Sequence, residues 1–398
     1  MLSNTVKNIV PSGTVSINAR VLEMMDEGTE IINLSVGEPD FNTPEPAKKG
    51  AAWAMEHNRT RYDKVPGLVE LREQICRKLR EENGVEYDID QIVVSNGAKQ
   101  CILNTCMTLL NPGDEVLIPV PYWVSYPEIV KICGGVPVFA ETKRENDFKL
   151  TAADIERCAT DRTKMLILCN PSNPLGTVYT REELRAAAEV CVRRGIYIMA
   201  DEVYERICFA DEFVSVSSLS PEIKKMTVLV NGLSKSIPMT GWRIGYTAAS
   251  KELTRAMIAL QGHITSHPST VSQWAGVEAL KHCGDNTSMM AAAYRERMEV
   301  AVAFLREELP QISFIEPKGA FYLFLDISSL KDCFGEREQP YSTAFTMKLL
   351  NEKHVAVAPG AAFGMDGFIR IAYAADKDTL LRGLGKIRDL VKELRREW

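Results

Sequence analysis

The chain has 398 residues, of which 45% are hydrophobic and 25% charged, and its formal net charge is -6. This is the composition of a globular protein long enough for two domains, and the acidic balance argues against nucleic-acid binding, which needs a basic surface. No uninterrupted apolar run reaches the ~18 residues of a membrane span, and the N-terminus lacks the apolar region of a signal peptide. The ten cysteines form no CxxC pair. We therefore expect a reducing, cytoplasmic location and no metal site.

From residue 66 onwards the apolar pattern predicts helices alternating with short strands. Leucine and isoleucine recur at three- and four-residue spacing after Pro66, and Asn83-Gly84 marks the end of this helix. Strands are predicted at 91–95, 115–119, 165–170, 196–200 and 227–231, with helices from about 98 and over about 181–194. Strands separated by helices indicate βαβ units and a mostly parallel sheet that is buried on both faces.

After about residue 250 the pattern becomes helical and then mixed. Helices are predicted over about 285–309, over about 341–352 and at the C-terminus. Strand-like runs lie at 312–316, 320–325, 354–358 and 368–374. We predict an α/β fold in which a large three-layer α/β/α domain, with a mostly parallel sheet, covers 41–282. A smaller α+β domain would combine 283–398 with 1–40, since that N-terminal segment is too short to fold alone.

Lys235 is the leading candidate for chemistry because of its neighbours. It follows Ser234 just after the predicted strand 227–231, and Arg243 comes eight positions later. A lysine whose pKa is lowered by its surroundings can form a Schiff base with an aldehyde, while serine and arginine suit a phosphate group. The combination suggests pyridoxal phosphate. The alternative is a surface lysine that follows a turn.

Other candidates lie where predicted strands end, which is where ligands bind in open α/β sheets. Gly97-Ala98-Lys99 opens a helix whose amides and dipole could bind an anion, or it is a simple turn. The amide of Asn173, in a proline-flanked turn, could donate to a phenolate oxygen, or it forms an Asx turn.

Asp201 directly follows the strand 196–200. A buried carboxylate needs a partner, and a pyridinium nitrogen would be one, although a helix N-cap is the alternative. Tyr204, three residues later, could reach the hydroxyl of the same ring.

An aromatic and a cationic residue complete the candidates. Trp123 has a planar face suited to stacking on a ring, with core packing as its alternative. Arg370 lies inside the apolar run 368–374 and either faces solvent or binds a carboxylate in bidentate fashion.

The chain carries, in order from about Val10 to the C-terminus, the motifs PSGTVSI, LSVGEPDF, GAKQ, NPGDEV, PYWVSYPE, NPSNPLGTVY, DEVY, SKSIPMTGWRIGY, PKGAFY and RIAYA. By these motifs it resembles the class I aminotransferases, which are pyridoxal-phosphate-dependent and have the PLP-dependent transferase fold of type I. The strongest likeness is to bacterial-type aspartate aminotransferases of subgroup 1b, some of which also use prephenate.

The resemblance implies roles for the candidates. Pyridoxal 5'-phosphate would be bound by Ala98, Lys99, Trp123, Asn173, Asp201, Tyr204, Ser234, Lys235 and Arg243. Lys235 would be the Schiff-base lysine and proton carrier. Asp201 would pair with the ring nitrogen, and Tyr204 would bind the ring 3-oxygen together with Asn173. The substrate would contact Gly37, Trp123, Asn173 and Arg370, of which Arg370 would clamp the α-carboxylate.

Two further implications concern the partner subunit and the second substrate carboxylate. Tyr62 is similar to a family tyrosine that reaches the phosphate of the neighbouring subunit, which implies a homodimer with shared sites. Animal-type relatives bind the distal carboxylate with an arginine in the stretch that corresponds to 261–274, which has no arginine here. The resemblance to subgroup 1b therefore implies Lys99 as the cation, helped by Thr14, while an ordinary surface lysine remains the alternative.

The implied reaction is a ping-pong transamination from L-aspartate to 2-oxoglutarate, giving oxaloacetate and L-glutamate, with prephenate as a further substrate. Aminotransferases of alanine, aromatic amino acids or kynurenine, and β-lyases, would share the cofactor residues without needing Lys99. A transcription regulator with an aminotransferase-like domain would need a DNA-binding domain, for which the ~40 residues before the pattern leave no room. A structural protein with a decayed site would not retain every chemical position. No role is assigned to Ser236, His263 or His267.

Overall fold

The computed structural model describes residues 2–10, 13–334 and 339–396, without the side chains of residues 4, 13–16, 18 and 396. Within this part of the chain, seven strands form one central sheet. In spatial order they are Ile92–Asn96, Ile244–Ala248, Thr227–Gly232, Tyr197–Asp201, Thr163–Cys169, Glu115–Val120 and Val136–Glu141. All neighbouring pairs are parallel except the two made by Ile244–Ala248. The predicted mostly parallel sheet is confirmed.

Helices cover both faces of the central sheet. They are Glu45–Glu56, Val69–Asn83, Ala98–Leu109, Ser125–Ile132, Ala152–Cys158, Arg181–Arg194, Pro221–Lys225, Leu233–Ser236, Lys251–Ile264 and Thr270–His282. Val116 and Ile118 of one strand pack in a cluster with Ile102. Leu117, which points to the opposite face, packs in a cluster with Leu184. The predicted α/β/α layering is confirmed.

A second, antiparallel sheet lies in the C-terminal part. Its strands in spatial order are Ala358–Pro359, Phe368–Ala372, Tyr322–Asp326 and Ser313–Phe314, and its helices are Gly284–Glu308, Tyr341–Lys353 and Lys377–Arg396. Leu323 and Ile371 of this sheet pack with Leu305 and Leu384 of the helices in one core. The α+β character predicted for this part is confirmed. In the described residues, no helix combines the length and the apolar character needed to cross a membrane.

The N-terminal segment contacts the C-terminal part. Its described helices are Asn4–Lys7 and Gly13–Asp26. Ile17 and Val21 pack in a cluster with Leu350, and Ile32–Asn33 pairs in parallel with Val355–Ala356. The apolar side chains of the N-terminal segment are therefore buried by residues that are distant in the sequence.

Two central strands are not predicted by the sequence pattern. Val136–Glu141 lies at the sheet edge, and Pro137 inside it weakens the strand pattern, although an edge strand tolerates proline. Ile244–Ala248 contains a glycine at which an added Cβ would collide with the amide of Ala98. Glycine weakens a strand pattern, although close approach of another backbone requires it here.

The run 354–358 is predicted as one strand, and this prediction is wrong. Val355–Ala356 pairs with Ile32–Asn33, whereas Ala358–Pro359 pairs with Phe368–Ala372 in the other sheet. The chain changes sheets between them, which periodicity along a single run does not reveal. This change places residue 358 directly opposite Arg370.

Candidate active site

Eleven of the predicted site residues line one cavity of about 360 Å³. It is lined by Gly37, Ala98, Lys99, Trp123, Asn173, Asp201, Tyr204, Ser234, Lys235, Arg243 and Arg370, among others. Several of these residues follow the carboxyl ends of central strands, where α/β sheets bind ligands. Arg370 comes from the antiparallel sheet, so the cavity lies where the two sheets approach each other.

Of the two other predicted residues, Tyr62 does not line this cavity. Tyr62 is 93% exposed and lies edge-on to His267, with ring centroids 6.0 Å apart. Thr14 belongs to the helix Gly13–Asp26, and its side chain lies outside the described residues. Their predicted roles therefore remain predictions.

Lys235 lies on the short helix Leu233–Ser236, which directly follows a central strand. Its Nζ donates a hydrogen bond to the carbonyl oxygen of Gly37 at 2.5 Å. Burial lowers the pKa of this amine to about 8, with nearby guanidinium groups adding to the shift and Glu38 opposing it. About one amine in ten is then neutral at pH 7, so Lys235 can act as a base or a nucleophile.

An anion-binding cradle lies at the N-terminus of the helix Ala98–Leu109. The first amides of a helix have no carbonyl one turn earlier, and the helix dipole favours a negative group there. Gly97 has a φ of 77°, and an added Cβ would collide with the guanidinium of Arg243. Ser234 lines the same space. Amides, a hydroxyl and a guanidinium thus surround a space suited to a phosphate.

Asp201 ends the strand Tyr197–Asp201 and is 4% exposed. The hydroxyl of Tyr126 donates to its Oδ2 at 2.6 Å, and the N–H of Val203 approaches its Oδ1 at 3.5 Å. Burial raises the pKa of this carboxyl to about 6, although both hydrogen bonds lower it. No cationic side chain of the described residues contributes to that shift. A protonated nitrogen of a bound ligand would supply the missing partner.

Asn173 connects two other candidates. Its Oδ1 accepts a hydrogen bond from Nη1 of Arg370 at 3.1 Å, and its Nδ2 approaches the hydroxyl of Tyr204 at 3.5 Å. The amide therefore orients the guanidinium on one side and contributes a donor beside the phenol on the other.

Arg370 is only 5% exposed, so the solvated-face alternative is wrong. Its Nη2 donates to the carbonyl oxygen of Ser35 at 2.6 Å, whereas its Nε has no hydrogen-bond partner in the described structure. Burial lowers its pKa, and no carboxylate of the described residues opposes that shift. A buried cation without an anionic partner is costly, so this position favours binding of a carboxylate ligand.

A second cation borders the cavity. Nζ of Lys99 lies 5.1 Å from the centre of the Trp123 ring, which is half-buried, lines the cavity and also packs against the apolar cluster that contains Ile102. Burial lowers the pKa of Lys99, and the charge of Arg243 lowers it further. No described carboxylate contributes to its shift. Lys99 therefore lines the cavity while its side chain is also open to solvent. Its role as the cation for a distal carboxylate remains a prediction, with the surface lysine as its alternative.

Three aromatic residues without a predicted role also line the cavity, namely Tyr126, Tyr322 and Phe363. The hydroxyls of Tyr204 and Tyr322 lie 2.8 Å apart, and the guanidinium of Arg370 lies between the rings of Tyr322 and Phe363 at 4.4 and 4.8 Å. Tyr126 lies on the helix Ser125–Ile132, Phe363 on the short 3₁₀ helix Gly360–Phe363 and Tyr322 on the strand Tyr322–Asp326. Buried aromatics are common in protein cores, so only contacts between distant parts of the chain identify these positions.

Comparison with known proteins agrees with this site. A family model described as aminotransferase class I and II matches residues 29–387. The chain is 40% identical to an aspartate aminotransferase of Bacillus sp. (strain YM-2), over 98% of this chain and 99% of the relative. It is also 40% identical to a probable aspartate/prephenate aminotransferase of Aquifex aeolicus, over 99% of both chains.

A solved structure supports the same assignment. The aspartate aminotransferase from Thermus thermophilus with maleate superposes with a TM-score of 0.91 at 36% identity, covering 98% of this chain and 99% of that one. The resemblance carried by the sequence motifs is therefore confirmed, and the chain belongs to the aminotransferase class I and II family.

Proposed function

We propose that this protein uses pyridoxal 5'-phosphate to transfer the amino group of L-aspartate to 2-oxoglutarate. The observation that carries the proposal is the pair of cavity cations, Arg370 and Lys99, for which no described carboxylate is a partner. A substrate with two carboxylates would satisfy both charges. An amino donor with an apolar side chain would leave one of them unpaired.

The cavity fits the cofactor at three points. The buried carboxyl of Asp201 would pair with a protonated ring nitrogen. The absence of a Cβ at Gly97 lets the guanidinium of Arg243 approach the start of the helix Ala98–Leu109, where it would bind the phosphate together with the helix amides and Ser234. Lys235 would hold the cofactor covalently. When bound, pyridoxal 5'-phosphate supplies a carbonyl for the amino group and a ring that accepts electrons.

The protein supplies positioning and proton transfer. Arg370 binds the substrate α-carboxylate in bidentate fashion and thereby fixes the orientation of Cα. Nζ of Lys235 would remove the proton from Cα of the substrate, hold it and deliver it to C4′, the former aldehyde carbon, in the same half-reaction. The depressed pKa of Lys235 provides the neutral amine that this step needs. Closure of the smaller domain, 1–40 with 283–398, over the large domain, 41–282, would exclude water.

Prephenate belongs to the same proposal because it also carries two carboxylates. The Aquifex aeolicus relative is named a probable aspartate/prephenate aminotransferase, and the Thermus thermophilus structure contains the dicarboxylate maleate. Binding of either acidic substrate would use Arg370 and Lys99, with Thr14 beside the distal carboxylate.

The active unit is proposed to be a homodimer in the cytoplasm. Tyr62 is exposed and lines a surface hollow other than the cavity of its own chain, which fits a side chain that completes the phosphate site of a neighbouring copy. The ten cysteines all lie in the described part of the chain and all are free thiols, which fits a reducing compartment.

An absorbance titration tests the proposed function. The purified protein loaded with pyridoxal 5'-phosphate should show a visible band, and L-aspartate should remove it in favour of the pyridoxamine band. Addition of 2-oxoglutarate should restore it. A visible band that is insensitive to aspartate but responds to aromatic or neutral donors would refute the acidic specificity. Absence of any band would refute the cofactor assignment.

Lys99→Ala should reduce kcat/KM for aspartate and prephenate by roughly fivefold, because a charge pair made by an exposed lysine is worth up to about 1 kcal/mol. Activity with L-alanine should change little, since this donor has no distal carboxylate. The measurement is kcat/KM for the three substrates, with the exposed lysine variant Lys48→Ala as control. Equal losses for aspartate and alanine would instead assign Lys99 to the phosphate or the fold.

A further inference from the structure

Tyr322 lies at the meeting point of three predicted site residues. It is 1% exposed and belongs to the strand Tyr322–Asp326. Its hydroxyl is 2.8 Å from that of Tyr204, and its ring centre is 4.4 Å from the guanidinium carbon of Arg370. An added Cβ on Gly37, whose carbonyl accepts from Lys235, would collide with the same hydroxyl.

The hydrogen bonds around Tyr204 give its hydroxyl a direction. A phenol has one O–H to donate and two lone pairs that accept. Nδ2 of Asn173 points at this oxygen from 3.5 Å, and the hydroxyl of Tyr322 lies 2.8 Å away. If both neighbours donate, the lone pairs of Tyr204 are filled and its own proton is left for an acceptor in the cavity.

The charge of Arg370 favours Tyr322 as the donor in this pair. The guanidinium lies against the ring of Tyr322, and its charge opposes the increase that burial causes in the pKa of that phenol. Arg370 also lowers the pKa of Tyr204, but there its charge is the smallest of the causes, whereas for Tyr322 it is second only to burial. The more acidic phenol is the better donor. A donor that is itself polarised in this way also makes Tyr204 a stronger donor in turn.

The ring of Tyr322 has a separate effect on Arg370. The guanidinium contacts two rings. Its carbon lies 4.4 Å from the ring centre of Tyr322 and 4.8 Å from the ring centre of Phe363. The two rings restrict the plane of the guanidinium, while Asn173 and the carbonyl of Ser35 each accept one of its N–H groups. The fork is thus preorganised for a carboxylate before the substrate arrives.

We infer that Tyr322 is a positioning residue that acts on two side chains of the cavity, Tyr204 and Arg370. Its hydroxyl directs the proton of Tyr204 towards the ring oxygen of the cofactor, and its ring holds Arg370 in the plane that receives the α-carboxylate. The hydroxyl part rests on the proposed function. The ring part concerns carboxylate binding alone.

The test separates the hydroxyl from the ring by comparing Tyr322→Phe with Tyr322→Leu. Tyr322→Phe should raise the pH midpoint of the visible absorption band by about one pKa unit, because a ring oxygen with a weaker hydrogen bond holds its shared proton to higher pH. Succinate, a dicarboxylate without an amino group, should bind cofactor-free Tyr322→Phe within about twofold of wild type by calorimetry. Tyr322→Leu should weaken succinate binding by roughly tenfold, since it loses the cation–π contact.

Tyr373→Phe is the matched control for loss of a buried phenol. Tyr373 is 0% exposed, and its hydroxyl donates to the carbonyl oxygen of Ala320 at 3.1 Å. This control should lower the melting temperature without moving the pH midpoint or the affinity for succinate. In a Tyr204→Phe background, Tyr322→Phe should cause no further shift of the midpoint, because the phenol through which it acts is gone.

The outcomes distinguish this inference from the proposed function. If the absorption band of Tyr322→Phe has the same pH midpoint as that of the wild-type protein, the role of the hydroxyl is refuted. If Tyr322→Leu binds succinate as tightly as the wild-type protein does, the role of the ring is refuted. A wild-type protein without any visible band refutes the proposed function and the hydroxyl role with it. The succinate measurement on cofactor-free protein still decides the ring role in that case.

Discussion

Lys235→Ala is expected to lower kcat by roughly 10⁴-fold or more, the upper range for loss of one positioned acid–base group. The variant loses the amine that removes the Cα proton and the amine that would hold the cofactor. Nζ of Lys235 also donates to the carbonyl of Gly37, so a change in cavity shape must be separated from the loss of chemistry. Single-turnover transfer between loaded protein and L-aspartate measures the chemical step directly.

Lys235→Arg is the matched variant for this experiment. An arginine keeps the positive charge and can still donate to Gly37, but its guanidinium does not deprotonate at neutral pH. Both variants should therefore be inactive, whereas their melting temperatures should differ. Recovery of substantial turnover in Lys235→Arg would mean that charge rather than proton transfer is the contribution of Lys235, and near-normal turnover in Lys235→Ala would end the assignment.

The central layers could be predicted from sequence because each element carries its own local signal. Thr180 accepts a hydrogen bond from the N–H of Glu183, and Gly195 ends the same helix in the left-handed region, which matches the predicted 181–194. The strand that ends at Asp201 is a continuous apolar run, as expected for a strand buried on both faces. Such signals need no knowledge of distant contacts.

The burial of Arg370 could not be predicted in the same way. Alternation within the run 368–374 allows a solvated or a buried guanidinium equally. The structure decides through contacts from other parts of the chain, namely Ser35 in the N-terminal segment and Asn173 after a central strand. Tyr322 escapes prediction for the same reason, because its partners Tyr204 and Arg370 are far away in sequence.

Arg370→Ala is expected to lower kcat/KM by about 2–5 kcal/mol, roughly 30- to 5,000-fold, for every amino donor. All donors carry the α-carboxylate that this guanidinium would bind, so the loss should be similar for aspartate, alanine and phenylalanine. The measurement is kcat/KM for these three donors. The surface variant Arg382→Ala, whose side chain is 58% exposed, serves as control.

Stability measurements separate this role from a structural one. In the described structure Arg370 is buried without a carboxylate partner, so folding bears the cost of removing its charge from water. Loss of the charge in Arg370→Ala offsets the loss of its hydrogen bonds, and the melting temperature should fall only slightly while activity falls strongly. Arg370→Lys should recover part of the activity, because it restores the charge but not the two-pronged geometry. A loss restricted to acidic donors would assign Arg370 to the distal carboxylate and Lys99 to another role.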